Sequence, residues 1–90
     1  MLLAMTKQAQ KALAELDAKQ YRQVGSAIFG LLSNPAPHDS RPMKGARHGE
    51  CRVDVGEYCI VYAAFDDRVE VLVIGKRNDD DVYKIWERMK

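Results

Sequence analysis

Arg41, Lys44, Arg47, His48 and Arg52 crowd into one stretch of the chain in which Glu50 is the sole carboxylate. Lys76 and Arg77 form a second basic group behind the apolar run "RVEVLVI", and Tyr83 follows after the consecutive carboxylates Asp79, Asp80 and Asp81. Cations and a phenol with no evident carboxylate base suit a polyanionic substrate, because cations stabilise charge that develops on a phosphate. Cleavage of an RNA phosphodiester can run without metal, since the 2′-hydroxyl is an internal nucleophile that need only be oriented and deprotonated. DNA lacks that hydroxyl, so a site of this kind favours RNA.

A plainer reading stands beside this chemistry. Surface Lys and Arg are mostly solvated, and Tyr58, Tyr62 and Tyr83 have the positions of packed residues with the hydroxyl at the surface. His38 and His48 sit in a loop without a sequence cue to an orienting partner. The Asp79 to Asp81 run suits the positive end of a helix better than a metal site. The glycines form neither GxGxxG nor GxxxxGK[ST], and neither Ser/His/Asp nor paired-carboxylate chemistry finds support.

Length narrows the choice further. A chain of 90 residues makes a single domain, 1–90, whose core is too small to enclose a cofactor, so a surface site with no cofactor and no metal is expected. Lys and Arg number 14 against 13 Asp and Glu, so any case for a polyanion must come from local clustering. Cys51 and Cys59 lack zinc-site spacing and read as reduced thiols of a cytoplasmic protein. The opening "MLLAM" is too short for a signal peptide or a membrane span, so no membrane partner is expected.

These residues must be held by the following elements. "LLAM" could be a short strand; Thr6 is a suitable N-cap, and Ala9, Ala12, Leu13 and Leu16 recur at helical spacing. Tyr21, Val24, Ile28, Leu31 and Leu32 repeat the pattern, with "DAK" at 17–19 as the turn of a helical hairpin that Asn34, Pro35 and Pro37 end. Residues 33–50 hold all three prolines and read as a connecting loop. From Arg52 the period is two, and three runs separated at Gly56-Glu57 and Asp66-Asp67 predict an antiparallel meander. Val82, Ile85, Trp86 and Met89 predict a C-terminal helix, with Lys84, Arg88 and Lys90 towards its negative end. The first and third meander strands run the same way, so the two basic groups start at opposite ends of the sheet. Their convergence requires inward-facing residues on the first of these strands and a terminal helix that brings Tyr83 across.

The motifs "NPAPHDSRPMKG", "RVDVGEYCIVY" and "VIGKRNDDDVY", in this order, resemble the RelE/ParE superfamily of bacterial toxins, closest to the RelE branch. The resemblance implies an α+β fold: an N-terminal helical hairpin packed on a small antiparallel β-sheet, with a short C-terminal helix. It implies the toxin of a type II toxin–antitoxin system, a ribosome-dependent, metal-independent mRNA endoribonuclease (mRNA interferase) that cuts in the A site and inhibits translation. Its expected partners are a cognate antitoxin, the ribosome and mRNA, with operator DNA reached only through the antitoxin complex. By position, Arg77 matches the family arginine that steadies the phosphate, and Tyr83 the tyrosine credited with acid/base work or nucleotide orientation. Arg52 falls at a family basic position on the first meander strand, and Lys44, Arg47 and Lys76 are expected RNA or ribosome contacts.

The pattern departs from the family at Cys59, where an arginine is usual, and at Asp54, where a second basic residue is common. A thiol cannot give a guanidinium's paired hold on phosphate, and a carboxylate there repels it. Two rival expectations follow: a ParE-like DNA gyrase poison, or a catalytically weakened toxin acting through antitoxin binding and operator co-repression. The terminal helix, marginal alone, could also yield its groove to an antitoxin helix with a similar apolar stripe.

Overall fold

Thr6 closes one element and opens the next. In the computed structural model, which describes residues 1–77 and 81–89, β1 (Leu2–Met5) ends where the Thr6 hydroxyl accepts the Ala9 N–H at 3.2 Å and caps α1 (Lys7–Ala14). The same hydroxyl donates to Leu72 O at 2.6 Å, so the cap also ties α1 to the sheet. Asp17, expected within the turn, is instead the N-cap of α2 (Ala18–Ser33), accepting the Gln20 N–H at 2.8 Å. An aspartate there satisfies an amide that the first helical turn leaves without a partner.

The sheet is larger than the meander. After β2 (Arg41–Pro42) come β3 (Cys51–Val55), β4 (Tyr58–Ala64) and β5 (Arg68–Lys76), and five strands lie in the order β1-β5-β4-β3-β2. The meander is antiparallel as expected, and β1 joins it parallel to β5. Beyond Met5 the ladder continues through a side chain. Gln8 donates to Ile74 O and accepts from Ile74 N, both at 3.1 Å, as a strand residue would. The β3–β4 turn places Gly56 at φ 58°, a left-handed conformation that glycine adopts without a Cβ clash.

Each face of the sheet has its own core. The helical hairpin covers Val53, Ile60, Tyr62, Val69, Val71 and Ile74 with Ala9, Val24, Ile28 and Leu31. Tyr21, assigned to that stripe by its spacing, is exposed. The other face carries Met43, Cys59, Val61 and Val73 beneath Val82 and Trp86 of α3 (Asp81–Met89). A register shift at Val61/Tyr62 divides β5 between the faces, sending Val69 and Val71 to the hairpin and Val73 to α3. A helix of this length is unstable alone, so burial of Val82 and Trp86 seats it, each contributing about 2–3 kcal/mol. Met89, expected in the seated stripe, is exposed. Asp81 opens the helix, while Asp79, Asp80 and Lys90 lie outside the described residues.

Gly75 lets α3 approach. A Cβ at this position would stand 3.0 Å from Val82 Cγ1, closer than two carbon atoms pack.

Candidate functional site

Val53 points into the hairpin core, so strand alternation puts its neighbours Arg52 and Asp54 on the α3 face. There they stand opposite Val61 and Cys59 of β4. With α3 laid close by Gly75, the Arg52 guanidinium sits over the Tyr83 ring, 5.7 Å from its centroid. Trp86 meets that ring edge-on at 6.2 Å and 78°, and the Lys44 N–H donates to the Tyr83 hydroxyl across a long 3.4 Å. A cation, an aromatic edge and a backbone amide thus fix one tyrosine, and the cation–π contact alone contributes about 0.5–2 kcal/mol.

Asp54 is not the isolated repulsive carboxylate expected from the sequence. Its two oxygens accept from Arg52 Nη2 at 3.2 Å and Arg41 Nη2 at 3.0 Å. Arg41 and Arg52 are directly opposed across β2 and β3, an arrangement that repels unless an anion lies between. Burial works against the Arg52 charge, but the Cys59 thiolate, which exists only at the high pH where a guanidinium titrates, together with Asp54 and the Tyr83 phenol outweighs it and holds the guanidinium above its usual range. Burial pushes the Cys59 thiol up to about 11, so at neutral pH it is an uncharged core residue where the resemblance leads one to expect a guanidinium.

The structure gathers some of the expected site residues and separates others. Arg52, Tyr83 and the Lys44 backbone converge. Arg77 lies one residue beyond β5, exposed, its N–H donating to Glu57 O at 3.1 Å. The β5 residue level with Arg52 is Val73, so Arg77 is about 13 Å further along the strand at ~3.3 Å per residue. Lys76 pairs with Tyr58 and follows Gly75, which faces Val82, so alternation turns it to the hairpin face, away from Tyr83. Arg47 and His48 edge a cavity of about 320 Å³ whose other walls are Glu50, Leu72, Trp86 and Met89. Burial would raise the Glu50 carboxyl; backbone N–H groups, led by that of His48 at 2.7 Å, instead hold it below the usual range.

Arg41 and Trp86 complete the cluster although neither was among the expected site residues. Trp86 could have been found from its helical spacing to Tyr83, one turn away. Arg41 could not, because its place opposite Arg52 depends on a two-residue strand inside a proline-rich loop.

No curated protein matches the chain. Solved structures share its fold. A chain of the archaeal RelE–RelB complex from Pyrococcus horikoshii OT3 matches with TM-score 0.75 at 24% identity, over 87% of this chain and 96% of that one. The isolated E. coli RelE toxin matches with TM-score 0.72 at 20% identity, over 99% of this chain and 98% of that one. The YoeB/ParE toxin from Agrobacterium tumefaciens matches with TM-score 0.72 at 20% identity, over 86% of this chain and 99% of that one. The family model described as the ParE toxin of the type II toxin–antitoxin system, parDE, matches residues 3–81. With most of its length inside that match, the chain belongs to the ParE toxin family of type II toxin–antitoxin systems, within the RelE/ParE superfamily.

Proposed function

We propose that this toxin is a ribosome-dependent endoribonuclease that cuts mRNA in the A site and is neutralised by a cognate antitoxin. The observation that carries the reading is the assembly of Arg52, Tyr83 and Lys44 on the α3 face, where a half-buried cation and a fixed phenol stand side by side. A phosphate at Arg52 would have its developing charge stabilised, while the Tyr83 hydroxyl orients the 2′-hydroxyl or moves its proton. Arg77, exposed past the strand end, holds a second phosphate of the same strand. Lys44 and Arg47 extend the basic surface on the Tyr83 side, and Lys76, on the other face, meets ribosomal RNA rather than the cut strand.

Relatives of this fold are found in complexes described as RelE–RelB and RelBE toxin–antitoxin complexes, which supports an antitoxin partner here. Operator DNA is reached through that complex.

Primer extension on a reporter mRNA after brief induction in a bacterial host tests the reading. Translation-dependent cuts within codons are expected, lost in Arg77→Ala and in Tyr83→Phe, which keeps the ring beneath Arg52 and removes the hydroxyl alone. Growth arrest with intact mRNA and DNA damage signalling would replace this reading with gyrase poisoning. No growth defect at all would leave a toxin that acts through its antitoxin complex.

A further inference from the structure

We propose that Arg41 and Arg52 form a phosphate-binding site that the chain itself occupies with Asp54, so that an incoming phosphate must displace an internal carboxylate. The proposal rests on the ribonuclease reading only for the identity of the polyanion, an RNA strand.

Four observations carry it. The two arginines face each other in direct cross-strand register, a pairing of like charges that calls for an anion between them. Asp54 fills that place with one oxygen to each guanidinium, at 3.0 and 3.2 Å. Each arginine gives it a single Nη2 contact, not the paired contact a guanidinium offers a phosphate. The Arg52 Nε is buried with no hydrogen-bond partner, so a donor of this site is unspent.

The exposures give the direction of exchange. The Arg52 side chain is 11% exposed and fixed, whereas Asp54 at 29% and Arg41 at 60% lie towards solvent and can turn aside. The solvent-facing Arg41–Asp54 pair is weak, so a phosphate with more oxygens and more charge competes with the carboxylate at Arg41 first and from there reaches Arg52. The place it would take adjoins the Tyr83 ring, because the same Arg52 guanidinium covers that ring. Asp54 thereby attenuates the site: it offsets part of the charge of two cations in the free protein and sets a threshold that a phosphate must exceed.

The test is anion binding by the free protein, followed by fluorescence of Trp86, the single tryptophan, which touches Tyr83. Inorganic phosphate and a short 2′-O-methyl RNA, which cannot be cleaved, are the probes. Asp54→Asn keeps the side-chain shape and removes the charge; it is expected to bind both probes about tenfold more tightly than wild type at low salt. Adding Arg41→Gln should abolish the gain. Equal or weaker binding by a folded Asp54→Asn protein would overturn the proposal and leave Asp54 as a structural counter-ion shared by two arginines. Should Asp54→Asn fail to fold, Arg41→Gln in the otherwise wild-type chain alters only an exposed side chain. It is expected to weaken phosphate binding about threefold or more, and unchanged affinity would overturn the proposal equally. Neither readout involves cleavage or growth, so failure of the ribonuclease reading is seen separately.

Discussion

Replacing Gly75 with alanine should lift α3 from the sheet. The new Cβ would stand 3.0 Å from Val82 Cγ1, against the roughly 3.5–4.0 Å at which carbon atoms pack, so about 0.5–1 Å must be found. Val82 is fully buried and β-branched, which bars a change of rotamer, and the helix itself has to move. Overpacking of this kind costs about 1–3 kcal/mol, from which the reduced freedom of the unfolded chain recovers about 0.4–1 kcal/mol. The net loss spans about 0–2.6 kcal/mol with a midpoint of about 1.3 kcal/mol, which is roughly 5–10 °C in Tm for a domain of this size. Urea unfolding of Gly75→Ala, Val82→Ala and the double variant measures it. Val82→Ala alone should lose about 2 kcal/mol for its buried methyl groups. The double variant should lose less than the sum, because the second change makes room for the first. Gly75→Ala as stable as wild type, with strict additivity in the double variant, would refute the argument that Gly75 sets the distance of α3.

Thr6→Ala should cost about 1–3 kcal/mol in the same assay, because it removes the α1 cap and leaves Leu72 O without its 2.6 Å donor, while Thr6→Ser stays near wild type. Cys59 gives a pH signature. Its folded pKa of about 11 lies above its ordinary 9.0, so the stability from the neutral thiol is complete below pH 9 and is lost as pH rises towards 11. The urea midpoint should fall across that window, and Cys59→Ala should flatten the fall; an identical slope in the variant would show that the thiol does not titrate there.

Local patterns in the sequence were enough to give the hairpin, the meander and the terminal helix, because helical spacing and strand alternation are properties of neighbours. The Thr6 cap was legible for the same reason. Relations between distant segments were not. The alternation of "RVEVLVI" says nothing of the register shift at Val61/Tyr62, which sends Val73 to the other core from Val71. A two-residue β2 has no period to detect, so Arg41 looked like one more loop cation and Asp54 like a bare carboxylate. Tyr83 and Arg52 were legible as residues, but their contact depends on how closely α3 approaches, which a single glycine sets. Distance along the strands then keeps Arg77 from joining them, a consequence of β5 being longer than β3.

The parallel pairing of β1 with β5 has a consequence for the order in which the protein takes shape. Thr6 and Gln8 reach partners 66 residues later in the chain, and Leu2 to Met5 find theirs in Arg68 to Val71. During synthesis the first strand must therefore wait, unpaired, until residues 68–71 have left the ribosomal tunnel. Closing so long a loop carries an entropic penalty that only the complete sheet offsets, and it slows folding relative to the local hairpins. Tyr83 is seated later still, on a face that exists only once β5 has added to β4. A nascent copy thus cannot assemble the Arg52–Tyr83 cluster while the ribosome making it still holds the terminal helix.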